Sequence, residues 1–265
     1  MTDPVAGDPH TTAVRSTTER VVPAPVAPVA AVVTGANRGI GLEVCRQLAV
    51  LGATVFLSAR DAAKGAAAAH ELAAEGLDVR FVALDVADPA SVAAAAEAVA
   101  GQVEGLDVLV NNAGGNFDFM HTVLGSDVDL VAGIVDANCF GAMRCVNAFL
   151  SLLRAGAHPR IINVTSEAGS FSALQGLPYQ QDHLAGYAVA KAAQNAYTVK
   201  LAGALAGTGI LVNAISPGFV ATQPGAEKMG ARPIPEGAAS IVWAATLPDD
   251  GPSGGFFRDG EPLTF

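Results

Sequence analysis

The sequence predicts an α/β fold in which one doubly wound parallel sheet carries helices on both faces. Three observations predict it. From Val29 onward, short β-branched runs alternate with Ala-rich stretches of helical length, the strand, helix, strand order that a parallel sheet requires. A glycine-rich turn, Gly35 to Gly41, joins the first apolar run to the first helical stretch. The 265 residues, 51% apolar and 15% charged, can bury one substantial core, and one domain with a short appendage accounts for them.

About seven strands are expected, at Val29–Thr34, Thr54–Ser58, Val79–Leu84, Val108–Asn111, Arg160–Val164, Leu211–Ile215 and Gly255–Phe257. Between them the helical period places helices at Ile40–Leu51, Ala62–Ala74, Pro89–Val103, Asp127–Leu153, His183–Leu205 and Pro235–Leu247. Asp88 before Pro89 reads as an N-cap with proline at the first helical position. Residues 1–28 hold Pro4, Pro9, Pro23, Pro25 and Pro28 and show neither apolar period, so they are expected to form a mobile tail ahead of a domain at 29–265. Those prolines interrupt any signal-like apolar run, and no segment approaches the roughly 20 apolar residues of a membrane span. A cytoplasmic location follows as the expectation.

The net charge of −10 and the lack of a Lys/Arg run argue against nucleic acid or an anionic membrane as partner. Small anionic ligands must be held by local groups. Cys45, Cys139 and Cys145 are odd in number, lie in apolar stretches and lack CxxC spacing, which reads as buried reduced thiols. The five histidines are scattered without HxH or HExxH spacing, and no metal site is expected.

Two local patterns carry chemistry. In AAVVTGANRGIG, Ala30 to Gly41, the glycines Gly35, Gly39 and Gly41 punctuate the turn after strand one. Small residues there let backbone N–H groups and the helix dipole meet a pyrophosphate. Farther on, Tyr187 and Lys191 are four residues apart, on one face of a predicted helix and downstream of Ser166. An ammonium beside a phenol favours loss of the phenolic proton, which suits proton transfer.

Together these strings resemble the short-chain dehydrogenases/reductases, Rossmann-fold enzymes. TGANRGIG at Thr34–Gly41, Asp85 in LDV, NNAG at Asn111–Gly114, Asn138, Ser166, Tyr187 with Lys191, and PGFVAT at Pro217–Thr222 occur in the family's order, from about residue 29 to the end. FFRDGEPL near the C-terminus is similar to carbonyl-reductase-like members that use NADPH. The resemblance implies that Gly35, Asn37, Arg38, Gly39, Ile40 and Gly41 cradle a dinucleotide, and that Asp85 and Val86 hold its adenine. It further implies that Asn111, Asn112, Ala113 and Gly114 line the cofactor, and that Pro217, Gly218, Val220 and Thr222 close over it, Thr222 capping the carboxamide or pyrophosphate.

The end of strand two selects the cofactor. A carboxylate there would bind the ribose diol of NAD, but the residue is Ala59, with Arg60 next and Arg38 in the glycine turn. Two guanidinium groups suit a 2′-phosphate, so NADPH is favoured over NADH. Asp61 dissents, since it can pair with Arg60 or approach the ribose.

The implied reaction is reversible reduction of a ketone or aldehyde. Tyr187 donates the proton, Ser166 binds the carbonyl oxygen, Lys191 and the oxidised nicotinamide bring the phenol toward working pH, and Asn138 positions a relaying water. Tyr197, with Lys200 three residues on, lies farther from the strand ends, and Tyr179 has only His183 four residues on. The stretch between Ser166 and Tyr187 is longer than usual in the family. Phe171, Leu174, Leu177, Pro178, Tyr179 and Asp182 in it are candidates for a substrate wall, with Phe117, Phe219 and Met229 either adding to the pocket or serving as core. An apolar or aromatic substrate is expected, in a pocket left open by the short segment 223–236. Family members often pair through the helices at Asp127–Leu153 and His183–Leu205, so a homo-oligomer is possible. Three alternatives stand beside this reading: a catalytically silent nucleotide sensor, an NAD-dependent alcohol dehydrogenase, and a nucleotide-sugar epimerase or dehydratase. The 43 residues after Thr222 are too few for the last one's substrate domain.

Overall fold

A computed structural model of the chain describes residues 26–114, 117, 118, 120–174 and 183–265. Nearly all of the expected tail, and the wall candidates Leu177, Pro178, Tyr179 and Asp182, lie outside the described residues.

Strands β1 (Ala30–Val33), β2 (Thr54–Ala59), β3 (Val79–Ala83), β4 (Val108–Asn111), β5 (Arg160–Val164), β6 (Leu211–Ile215), β7 (Phe256–Arg258) and β8 (Glu261–Pro262) form one sheet in the order β3-β2-β1-β4-β5-β6-β7-β8. All neighbours run parallel except β7 and β8, which form an antiparallel hairpin. The eighth strand is the difference from the expected seven. It is two residues long and contains Pro262, so no alternation marks it, and proline suits a sheet edge.

The strands are apolar on both sides because both faces are covered. Val33, Leu57, Val110 and Ile162 pack with Leu48 of α1 (Gly39–Val50), Leu72 of α2 (Ala62–Ala74) and Ile241 of α8 (Ile234–Ala245). On the opposite face, Phe56, Leu109, Ile161 and Val212 pack with Val99 of α3 (Pro89–Ala100) and Phe149 of α5 (Gly141–Ala155). Asp88 caps α3 as expected, its carboxylate accepting from Ala90 N at 2.9 Å, with Pro89 in the first turn. The single helix expected over Asp127–Leu153 is two. Helix α4 (Val128–Val135) meets α5 through one π-helical turn, Asp136–Phe140, where the hydrogen-bond ladder accommodates an extra residue.

At the end of the sheet away from the carboxyl termini of the strands, Asp107 is 2% exposed and accepts from the backbone N–H groups of Val29 (2.6 Å), Ala30 (3.4 Å) and His158 (3.0 Å). Its removal strands three donors. Asp107→Ala is expected to cost about 3 kcal/mol and roughly 6–12 °C in melting temperature. A calorimetric scan with an unchanged midpoint would show that water replaces the carboxylate.

Candidate active site

The sheet order reverses between β1 and β4, and at such a switch point the loops leaving the two strands diverge and open a crevice at their carboxyl ends. Every described element named by the sequence motifs ends there.

On one side is the glycine turn. Gly35 has φ +63°, and a Cβ on it would come 2.8 Å from Ala113 Cα, so the turn after β1 and the NNAG segment after β4 can meet only through glycine. Thr34 Oγ1 accepts from the N–H groups of Asn112 (3.0 Å) and Ala113 (2.9 Å), and Asn112 Nδ2 donates to Thr34 O at 2.8 Å and Gly35 O at 3.2 Å. Helix α1 then begins after Arg38 with no side-chain cap, which leaves first-turn N–H groups facing the crevice. Asn37 and Ile40 are half-buried in this turn. A carbon built on Gly39 would sit 3.6 Å from the Thr222 methyl, so PGFVAT closes onto the turn from the β6 side. Within that loop Gly218 N donates to Ser216 Oγ, and buried Val220 forms a bridge with Arg232. Asp85 is half-buried with its carboxylate turned onto Ala87 N (3.0 Å), shaping its own loop, and the Val86 carbonyl accepts from Arg144 at 3.1 Å. Asn111 faces away from the crevice into the interior, where its Nδ2 donates to Asn163 Oδ1 at 2.8 Å.

Arg38 and Arg60 are exposed, and neither side chain has an ion-pair or hydrogen-bond partner among the described residues. Asp61 does not pair with Arg60. It caps α2, accepting from Lys64 N at 3.1 Å and pairing with Lys64 Nζ at 3.0 Å. These residues fit a dinucleotide: an uncapped helix start behind a glycine turn for the pyrophosphate, and two guanidinium groups without protein partners at the adenosine end.

On the other side stand the proton-transfer candidates. Ser166 follows β5, its Oγ accepts from Ala168 N at 3.1 Å, and the Tyr187 phenol lies beside that hydroxyl. Tyr187 and Lys191 lie on α7 (Ala185–Ala204), the next described helix after the one-turn α6 (Phe171–Leu174), with Lys191 Nζ 5.7 Å from the phenol ring centroid. Asn138 is fully buried in the π-helical turn; its Nδ2 donates to Ile134 O at 2.9 Å and its Oδ1 has no hydrogen-bond partner. Gly114 closes against that oxygen so tightly that a Cβ would overlap it. Ser166, Tyr187, Lys191 and Asn138 therefore line the same end of the sheet.

Electrostatics modify the expected role of Lys191. Burial pushes the Tyr187 phenol up to about 12, opposed by the neighbouring Ser166 hydroxyl. Burial likewise pushes Lys191 down to about 7, opposed by the Cys139 thiol. In the protein alone, Ser166 and not the lysine brings the phenol down. Tyr197, the rival, packs into the apolar cluster beneath the sheet beside Cys139 and Cys145. All three cysteines are free and buried.

Two residues were not foreseen, Asp118 and Gln194. Helix α7 starts after Leu184, which has φ 61° and no side-chain cap. Buried Asp118 supplies the missing acceptor from a distant loop, bonding Gly186 N at 2.7 Å and Tyr187 N at 3.2 Å. Phe117 beside it packs its ring 4.7 Å from that of Tyr187. Gln194 accepts from Lys191 Nζ at 3.0 Å. Nothing in the local sequence announces Asp118, but Gln194 was legible: Tyr187, Lys191 and Gln194 are spaced i, i+4, i+7 along one helix face.

A buried lysine held at about 7, against an ordinary 10.5, has a calculable effect on folding. Below about pH 7 both folded and unfolded chains carry the proton and the full burial cost applies. Between about 7 and 10.5 only the unfolded chain holds it, so the cost fades as pH rises. Thermal melts from pH 7 to 10 should show the wild type gaining stability relative to Lys191→Met by on the order of a few kcal/mol. A pH-independent difference would mean that Lys191 titrates normally.

Comparison with known proteins agrees with this architecture. The family model for short chain dehydrogenase matches residues 29–231. The (+)-neomenthol dehydrogenase of Arabidopsis thaliana is 35% identical over 86% of this chain and 95% of its own length. Short-chain dehydrogenase/reductase 1 of Saponaria officinalis is 32% identical over 89% of this chain and 95% of its own. Among solved structures, the NADPH-bound carbonyl reductase from chicken fatty liver superposes with a TM-score of 0.79 at 29% identity, covering 91% of this chain and 95% of that one. A Rossmann sheet with its motifs gathered at the switch point, and relatives of this length and coverage, place the chain in the short-chain dehydrogenase/reductase family of oxidoreductases, as a carbonyl-reductase-like member.

Proposed function

We propose that the protein is an NADPH-dependent reductase of ketones or aldehydes, running reversibly, with Tyr187 as proton donor. The observation that carries this reading is the Tyr187 phenol set beside the Ser166 hydroxyl at the carboxyl end of β5, with Lys191 buried behind it. When bound, the reduced nicotinamide supplies hydride to the carbonyl carbon. Ser166 holds the carbonyl oxygen, and the Tyr187 proton passes to that oxygen as it gains charge. Lys191 steadies the phenolate that remains, and the unpartnered Asn138 Oδ1 offers a place for a water that returns the proton.

The glycine turn, Asp85, Val86, Asn112, Ala113, Gly114 and the Pro217–Thr222 loop would hold the dinucleotide. Arg38 and Arg60 favour the 2′-phosphate, a preference supported by the engagement of Asp61 in capping α2. Phe117, packed on Tyr187 and 39% exposed, supports an apolar or aromatic substrate.

A cofactor-consumption screen tests the proposal. NADPH, NADH and NADP⁺ are each offered with a panel of ketones, aldehydes and alcohols. Consumption of NADPH with apolar carbonyl compounds is the expected result. NADPH binding without turnover across the panel would instead indicate a nucleotide sensor.

A further inference from the structure

Gln194 is fully buried on the face of α7 that meets the sheet, a position where an apolar side chain would pack without polar cost. Its Nε2 has no hydrogen-bond partner, so the amide lowers stability where it stands. What it does contribute is a contact to the lysine. An ammonium has three donors. Lys191 Nζ spends one on the Val164 carbonyl at 2.8 Å and one on Gln194 Oε1 at 3.0 Å, leaving a single N–H for the crevice. One acceptor comes from the end of β5, and the other from one turn farther along the helix that bears the lysine. Two fixed acceptors define the direction of the third bond.

We infer that Gln194 is a positioning residue for the proposed reaction: with the Val164 carbonyl it holds Lys191 Nζ in one orientation and supports its protonated form beneath the phenol. This rests on the role given to Lys191 above. No carboxylate among the described residues performs the task. Among the described residues, the titratable groups against Lys191 are the Tyr187 phenol on its own helix and the Cys139 thiol on the π-helical turn. Glu167, on the turn packed against α7, is paired with Arg258 at 2.7 Å, and Asp118 is bound to backbone N–H groups at the start of α7. Asp136, in the same turn as Cys139, is paired with Arg144 at 2.6 Å. A neutral amide thus supplies the lysine's side-chain acceptor, and the charge of Lys191 depends on it.

The chain has four lysines, Lys64, Lys191, Lys200 and Lys228, so ¹³C-lysine labelling yields few signals, and Lys191→Met assigns the one of interest. The titration midpoint of Lys191 is measured without cofactor in the wild type, in Gln194→Met, which keeps volume but has no comparable acceptor, and in Gln194→Glu. The midpoint should fall by about one pH unit in the methionine variant and rise by at least as much in the glutamate variant. Melting temperature of the methionine variant should be equal or higher, and NADPH affinity within about twofold, while kcat with any carbonyl substrate falls about tenfold at constant KM. If the methionine variant does not fold, the glutamate titration decides alone. An unmoved midpoint overturns the inference whatever the enzyme turns over. A moved midpoint in a protein that consumes no NADPH supports the lysine contact and removes only the proposed reaction.

Discussion

Tyr187→Phe is expected to lower NADPH-coupled carbonyl reduction about a thousandfold or more, while NADPH still binds and the protein still folds. Only one oxygen is lost. The ring remains, so its packing against Phe117 and the start of α7 under Asp118 persist. What disappears is the proton that must reach the carbonyl oxygen as hydride arrives, and no other described hydroxyl replaces it: Ser166 Oγ is beside the site but lacks a lysine to carry charge away. Ser166→Ala, which removes a hydrogen bond and not the proton source, should cost less, about ten- to a hundredfold. Steady-state rates with tryptophan-fluorescence titration of NADPH separate chemistry from binding. Turnover of Tyr187→Phe within tenfold of wild type would take the phenol out of the mechanism.

Replacing both Arg38 and Arg60 with alanine should weaken NADPH about a hundredfold and NADH hardly at all. A charge-assisted bond to phosphate is worth about 1.5–3 kcal/mol, or roughly tenfold or more in Kd for each guanidinium. Neither arginine has a protein partner to release among the described residues, so the full contact is available to a ligand. Asp61 would oppose a 2′-phosphate if it pointed there, but Lys64 and the first turn of α2 occupy it. Equilibrium titration of both dinucleotides reads the ratio directly. Equal losses for NADPH and NADH would move the guanidinium groups to the shared pyrophosphate.

Much of this was legible because the determinants are local. β-branched runs buried on both sides mark the parallel strands, and Asp88 with Pro89 marks where α3 begins, since cap chemistry is contained in adjacent residues. Most of the motif residues converge because they follow strand ends, which a parallel sheet puts on one edge, whereas Asn138, Tyr187 and Lys191 are brought there by helices. What escaped depends on contacts across the fold. The π-helical turn has no composition of its own, for Asp136–Phe140 reads as ordinary helix. Asp118 serves Gly186 N from 68 positions away, and no spacing rule reaches that far. The lysine was read as an activator from charge alone, whereas burial, which the sequence shows only indirectly, acts on both partners and displaces each away from its ordinary value. Asp61 was readable as a cap, one residue ahead of α2, and its charge drew the reading toward Arg60 instead.

The inserted residue between α4 and α5 also limits how this chain can change. Straightening Asp136–Phe140 into a continuous α ladder while keeping every residue would turn the two flanking helices by about 100° relative to each other. Cys145, Val146, Phe149 and Leu153 would then rotate off the sheet along with Asn138. The irregular turn is thus anchored from below by four core side chains, and substitution alone cannot iron it out without dismantling one wall of the molecule.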